Sequence, residues 1–166
     1  CINIKSNKMK KIILMVAIFA TAFVQQSFAQ NNSTPQPSEL LTSYYNIKDA
    51  LVSGDADKAA ANAEQFVKNI NSISTGTVHE SNKEALLKDA NKISTTKDSK
   101  KQREYFSTFS ANMYDLAKTV KLSSKPVYYQ YCPMKKATWL SRNKTIKKPY
   151  FGSAMLTCGK TTETLQ

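Results

Sequence analysis

Four successive helical patterns constrain the fold of this chain more than any other feature. The strongest has apolar side chains recurring at intervals of three and four residues: Phe106, Phe109, Met113, Leu116 and Val120. This spacing is typical of an α-helix that buries one face. Ser99, followed three residues later by Gln102, is predicted to cap its N-terminus. Residues 38–121 are therefore expected to be mostly helical.

The three earlier patterns have the same period. Their apolar positions are Leu40, Tyr44, Ile47 and Leu51, then Ala59, Ala63, Phe66 and Ile70, then Leu86, Ala90 and Ile93. Ser38 is predicted to cap the first helix and Gly54 to follow its end, while Asp55 precedes the second. Thr77 and Ser81 each open a capping box before the third helix. Its start is therefore ambiguous.

The connections between these patterns are short, which favours an antiparallel up-down four-helix bundle. After Lys121 the period changes, and residues 126–133 have the composition of a strand closed by Pro133. The segment 122–166 has few aliphatic residues, so we expect it to pack as a small strand-and-loop cap on the bundle. The predicted fold class is mainly α, with one domain over residues 38–166.

The N-terminal part has the character of a targeting segment. A basic start at Met9 precedes 13 apolar residues, and Ser27-Phe28-Ala29 is a small-x-small cleavage site. The apolar run is too short to span a membrane. We interpret residues 1–29 as upstream sequence and signal peptide, and residues 30–37 as a disordered leader. A soluble exported protein without stable membrane insertion is expected.

The excess positive charge is confined to the C-terminal cap. Residues 30–120 carry 11 basic and 11 acidic side chains, whereas residues 121–166 carry nine basic side chains and one acidic, Glu163. An exported protein has little access to nucleic acid, so the charge indicates either a solvated surface or a face for an acidic partner or anionic lipid.

Sulfur is concentrated in the same cap. Of the eight Cys and Met residues, four lie within 27 residues: Cys132, Met134, Met155 and Cys158. On an extended segment residues i and i+2 face the same side, so Cys132 and Met134 are predicted to present their sulfurs together. On a helical turn, Met155 and Cys158 would do the same. Thiolate and thioether ligands prefer soft ions such as Cu(I) or Ag(I).

The residues leave a second interpretation open. In an oxidising compartment two cysteines are equally compatible with a disulfide, here closing a loop of about 26 residues that would stabilise the fold by roughly 3–3.5 kcal/mol. Met113 lies on the apolar stripe of the fourth helix and is expected in the core. His79, the one histidine, is expected to be structural unless it approaches the sulfurs as a further ligand.

Enzymatic function is not indicated. The chain has no Cys-x-x-Cys motif, no nucleophile elbow, no zinc signature and no glycine-rich phosphate loop. A single histidine also leaves no catalytic triad to assemble. We therefore predict a protein that binds rather than catalyses.

The C-terminal block resembles a specific family. It has the form Tyr131-Cys-Pro-Met, then Trp139-Leu-Ser, then Pro149-Tyr-Phe-Gly152, then Met155-x-x-Cys158-Gly159. These motifs are similar to those of a small periplasmic domain of unknown function. That domain occurs alone or fused to membrane-fusion adaptor subunits of copper/silver efflux systems in Gram-negative bacteria. The resemblance implies that six residues are metal-associated: Cys132, Met134, Met155, Cys158, His79 and Met113.

Two hypotheses of function follow. The first is a periplasmic protein that binds Cu(I) or Ag(I) for handling or for delivery to an efflux adaptor or another periplasmic protein. The second is a non-enzymatic interaction module in which Cys132 and Cys158 form a structural disulfide and the basic cap docks a partner.

The signal-peptide interpretation predicts that the mature protein begins at Gln30. Intact-mass measurement of the protein recovered from the periplasm should show a chain of residues 30–166. Retention of residues 9–29 on the exported protein would contradict this interpretation.

Overall fold

Four helices account for just over half of the residues that the structure describes. The computed structural model describes residues 36–152 and 154–166, so the predicted signal peptide and residues 30–35 lie outside the described residues. The helices are α1 (Pro37–Ser53), α2 (Ala56–Asn71), α3 (Glu80–Ser94) and α4 (Ser99–Thr119). The prediction of a mainly helical domain with four helices is confirmed, while the up-down arrangement of all four stays a prediction.

The α1–α2 connection follows the predicted local signals closely. Gly54 takes a left-handed conformation (φ 79°) just after α1, and its N–H donates to the carbonyls of the last turn. The carboxylate of Asp55 accepts the N–H of Lys58 at 2.9 Å and caps α2. α1 begins with Pro37 rather than after Ser38, because proline suits the first helical position, where no N–H is needed. Helix α1 therefore starts at the last residue of the predicted leader, residues 30–37.

The capping boxes predicted for α3 and α4 are wrong. α3 has His79 as its N-cap, between the two predicted starts, and α4 is capped by Asp98, whose carboxylate accepts the N–H groups of Lys100 and Lys101. Gln102 is fully buried instead, and its amide donates to three backbone carbonyls: Ala56, Ile93 and Thr96. It thereby ties the starts of α2 and α4 to the end of α3.

The cap contains more regular structure than predicted. The expected strand is β1 (Val127–Cys132), and it lies between β2 (Ala137–Ser141) and β3 (Lys160–Leu165) in an antiparallel sheet of order β2-β1-β3. Tyr131 faces Thr138 on one side and Lys160 on the other. The sequence analysis missed β2 and β3. Both are short. The pattern of β2 is too irregular to signal a strand, and β3 pairs with a strand that is distant in sequence.

One hydrophobic cluster joins the sheet to the helices. The rings of Phe106 and Tyr150 lie 6.1 Å apart, and Trp139 packs edge-on against Tyr150. Trp139 and Leu140 of β2 have no exposed surface. The cap therefore shares its core with the bundle, as its composition led us to expect. Among the described residues, no helix is long and apolar enough to cross a membrane.

Tyr44 connects three elements at the centre of this core. Its hydroxyl is bonded to that of Ser110 on α4 at 2.6 Å and accepts the N–H of Leu140 on β2 at 2.9 Å. Its side chain is completely buried, and burial raises the pKa of the phenol, which stays protonated and available as a donor.

We predict that Tyr44→Phe lowers the free energy of unfolding by about 1–3 kcal/mol, because it leaves the buried N–H of Leu140 and the hydroxyl of Ser110 without their partner. Urea denaturation of both proteins measures the difference. Tyr105→Phe is the control, since Tyr105 is half-buried on α4 and its hydroxyl has no protein partner among the described residues. Equal stabilities for the two variants would contradict the role given to Tyr44.

Candidate functional site

The sheet gathers four sulfur-bearing residues at one of its ends. β1 finishes at Cys132, and a turn over residues 133–136 leads into β2. Because β3 is antiparallel to β1 and Lys160 faces Tyr131, the chain that leads into β3 arrives at this same end. We call the segments 132–136 and 154–159 the sulfur end. They contain Cys132, Met134, Met155 and Cys158.

Gly159 holds the second segment close to β1. A Cβ atom at this position would lie 2.9 Å from the carbonyl oxygen of Tyr131 and 3.1 Å from the ring of Trp139. Only glycine permits so close an approach of two backbones. Cys158 is therefore held next to the end of β1, beside the strand that carries Cys132.

The two cysteines are free thiols in different environments. Cys132 has no exposed surface, and its Sγ accepts the N–H of Lys135 at 3.4 Å. Cys158 is partly exposed. An ion can reach Cys132 only after a local opening of the structure, whereas Cys158 is partly accessible as it stands.

The two methionines are exposed to an unusual degree. Met134 is 55% exposed and Met155 is 53% exposed; together with Phe151, at 36%, they are the exposed large hydrophobic side chains among the described residues. Isolated exposed apolar residues are common on protein surfaces, but here all three belong to the cap. Neither methionine at the sulfur end fills a core.

Of the two sulfur pairs predicted from the sequence, one is wrong and the other forms by a different kind of turn. Cys132 and Met134 do not share a strand face, because β1 ends at Cys132 and Met134 lies in the turn. Met155 and Cys158 do share one turn, closed by the N–H of Cys158 donating to the carbonyl of Met155 at 3.3 Å. This turn is not helical, since Met155 has a left-handed backbone (φ 53°).

Met113 is not at the sulfur end. It is fully buried on α4 within the hydrophobic core, as its position on the apolar stripe predicted.

His79 lies toward the opposite end of the helices. α3 and α4 run in opposite directions, because Asp89 contacts Asn112 while Lys92 contacts Tyr105. His79, which precedes α3, is therefore near the C-terminal end of α4. Its exposed ring is bonded through Nδ1 to the hydroxyl of Ser81 at 2.8 Å.

The path of β1 separates the sulfurs from this histidine. Tyr129 stacks on Tyr114 with ring centroids 3.7 Å apart, and further along the sheet Tyr150 bonds to the carbonyl of Thr138 and packs on Phe106. β1 thus runs back along α4, whose 21 residues span about 30 Å, toward its N-terminal half. The structure does not bring His79 to Cys132.

Lys148 is a residue near this site that the sequence analysis assigned to the surface. It has no exposed side chain, and its Nζ has no hydrogen-bond acceptor among the described residues. The ammonium lies 4.2 Å from the ring of Phe151, and the N–H of Lys148 donates to the carbonyl of Leu156. It thus fastens the loop that carries Met155 to the preceding segment. The sequence did contain a signal for this burial, since the apolar residues Ile146 and Pro149 lie close to Lys148 along the chain.

The donor types at the sulfur end limit which ions it suits. No group of three or more His, Cys, Asp or Glu side chains able to hold an ion occurs in the described part of the chain. The donors here are two thiols and two thioethers, which are soft ligands.

The difference in burial predicts unequal reactivity of the two thiols. In the native protein Cys158 should react with iodoacetamide at least about tenfold faster than Cys132, because modification of Cys132 requires local opening. Peptide mass spectrometry after timed alkylation measures both rates, and denaturation should make them similar. Two unreactive cysteines that become reactive after reduction would instead demonstrate a disulfide.

Comparison with known proteins gives one family. Residues 40–125 match the family described as "Protein of unknown function (DUF3347)", a match over slightly more than half of the 166 residues. It includes all four helices apart from the first three residues of α1 (37–39) and ends before β1, so the sulfur end lies outside it. No curated protein and no solved structure matches the chain. The chain belongs to the DUF3347 family of proteins of unknown function.

Proposed function

We propose that this protein is a periplasmic soft-metal binding protein that carries Cu(I) or Ag(I) at the sulfur end, for handling or for delivery to an efflux system. The observation that supports the proposal is the collection of two free thiols and two exposed thioethers at one end of the sheet. The helices, proposed to be an antiparallel up-down bundle, serve as the scaffold.

The donor set fits this cargo. Thiolate and thioether sulfurs favour Cu(I) and Ag(I) over ions that prefer oxygen ligands, such as Mg²⁺. Zn²⁺ also binds thiolates, but its other usual ligands are imidazole and carboxylate rather than the thioethers found here. A thioether has no proton to lose and does not form disulfides, so Met134 and Met155 are not lost to disulfide formation in an oxidising compartment. Four sulfurs are enough for the low coordination numbers of these ions.

The exposure of the donors suits transfer. Met134 and Met155 present their sulfurs to solvent, so an incoming ion meets thioethers first. Cys158 is partly exposed, and Cys132 becomes available after a local opening of the structure. Weak, accessible donors placed before strong, buried ones allow an ion to be accepted and then released to a partner.

The proposed ligand set is smaller than the one implied by the resemblance. It comprises Cys132, Met134, Met155 and Cys158, and it omits Met113 and His79. Met113 fills the core and His79 lies near the other end of α4.

The charge around the sulfur end supports docking to a protein partner in addition to direct binding of the free metal ion. Lys135 and Lys136 follow Met134 in the same turn and are exposed. Two ammonium groups repel a cation but attract an acidic surface, so they suit docking to an adaptor subunit with carboxylates near its own metal site. The proposal includes no catalytic step.

The methionines distinguish metal binding from a structural disulfide. Met134→Leu with Met155→Leu keeps the volume of both side chains and both thiols, and should leave the fold intact. We predict that this double variant binds Cu(I) at least about tenfold more weakly than the wild type, a loss of about 1.4 kcal/mol, because two ligands are lost. Competition of the reduced, metal-free protein with a chromophoric Cu(I) chelator measures the affinity.

Met113→Leu is the matched control, since it removes a thioether that is buried in the core. Its Cu(I) affinity should equal that of the wild type. Equal affinity of the double variant and the control, or no binding of Cu(I) by the reduced wild type, would favour the interaction module with a Cys132–Cys158 disulfide.

A further inference from the structure

Two adjoining grooves flank an ion pair where α1 meets the end of β2. Both are lined by Asp49 of α1 and Arg142, which follows β2. The larger, of about 570 Å³, is completed by Asn46, Ala50, Ser53, Lys58 and Asn62. The smaller, of about 360 Å³, is completed by Lys48, Val52, Ser141, Asn143, Thr145 and Lys147. Because β2 begins at the sulfur end and finishes here, the grooves are separate from the proposed metal site.

The charges that line the grooves are not balanced. Four cationic side chains face one carboxylate, and both oxygens of that carboxylate are already used. Asp49 Oδ1 is 2.7 Å from Lys48 Nζ, and Oδ2 is 3.4 Å from Arg142 Nη2. Lys58 and Lys147 have no carboxylate of their own within the lining. The grooves therefore carry an excess of positive charge that the protein does not neutralise there.

Part of this charge is buried, which makes the imbalance costly. Lys48 is only 3% exposed. Burial lowers the pKa of its ammonium, and Arg142 and Lys147 lower it further, against the opposing effect of Asp49. The hydroxyl of Tyr45 is also buried, without a hydrogen-bond partner among the described residues, beneath a guanidinium 4.8 Å from its ring. A buried cation next to like charges gains stability when an anion arrives.

The loop that carries Arg142 is already held in place. Gln130 of β1 is fully buried and donates from Nε2 to the carbonyls of Asn143 and Lys144, both at 3.1 Å. The hydroxyl of Ser141 also bonds within the loop, to the carbonyl of Asn143 at 2.8 Å. A ligand therefore meets a guanidinium whose backbone is fixed, so less conformational entropy is lost on binding.

We propose that these grooves bind a dianionic oxyanion, a phosphate group, with Arg142 as its principal contact. A guanidinium presents its donors in a planar fork that matches two phosphate oxygens, and Lys48 and Lys147 add charge. Amide and hydroxyl groups around the rim supply neutral donors. The volumes are in the range of small-molecule sites. This binding is independent of the metal proposal, since no sulfur participates.

Titration of the full mature chain with inorganic phosphate at constant ionic strength tests the proposal. In ¹⁵N–¹H NMR spectra, the amides of Ser53, Asn143 and Thr145 should shift and saturate. Arg142→Gln should weaken the binding at least about tenfold. Lys144→Gln is the matched control, because it removes an exposed charge from the same loop that lines neither groove. Its affinity should stay within about twofold of the wild type.

Lys147→Gln provides a second variant in case loss of Arg142 disturbs the packing on Tyr45. It should weaken phosphate binding more than Lys144→Gln does. Non-saturating shifts in the wild type, or an equal loss in the Lys147 and Lys144 variants, would overturn the proposal, because either result indicates only nonspecific charge attraction.

The source of the phosphate group is distinguished by a second titration, with vesicles that contain phosphatidylglycerol. Shifts of the same groove amides, reversed by free phosphate, would support the proposal and identify a lipid headgroup as the ligand. Vesicles without effect, combined with saturable binding of inorganic phosphate, would support it with a free phosphorylated molecule as the ligand.

Discussion

The packing of the sheet on the helices depends on the two hydrogen bonds made by the hydroxyl of Tyr44. This hydroxyl is bonded to residues 66 and 96 positions later in the chain, Ser110 and Leu140. The ring itself stacks on Phe106, with centroids 5.4 Å apart. A buried polar group is stabilising only when its partners are in place, so this contact admits one arrangement of β2 on α1 and α4. The position of β2 then determines where both ends of the sheet lie.

Both proposed binding regions follow from that placement. At one end of β2, the turn and the chain leading into β3 form the sulfur end. At the other end, Arg142 meets Asp49 of α1 and the grooves form. Their chemistry differs accordingly. The sulfur end has soft donors and exposed apolar surface, whereas the grooves have cations with an incomplete set of counter-charges. The two proposed ligand sites therefore lie at opposite ends of one small sheet.

Basic residues in the cap have three different structural roles, although they are alike in the sequence. Lys135 and Lys136 are exposed beside the sulfurs. Arg142 and Lys147 line grooves, while Lys148 is buried over Phe151 without an acceptor among the described residues. A count of charged residues in the sequence does not distinguish these roles. Because Lys148 is buried, the basic residues of the cap do not all belong to a solvated surface.

The sequence by itself determined the four helices, the cap and the clustering of sulfur. Apolar periodicity identified the helices because burial of one helix face is a local property, repeated every three or four residues. Gly54 and Asp55 marked a boundary for the same reason, since their effects act within one turn. The four sulfurs of the cap were visible as composition alone.

Only the tertiary structure decided which of these residues come together. Cys132 and Met134 differ in burial because β1 ends between them, and His79 is separated from them by the direction of β1 along α4. Gln102, predicted as part of a cap, became a buried bridge between helices. β3 pairs with a strand some thirty residues earlier. Such outcomes depend on contacts between residues distant in sequence, and a local pattern carries no information about which distant partner will supply them.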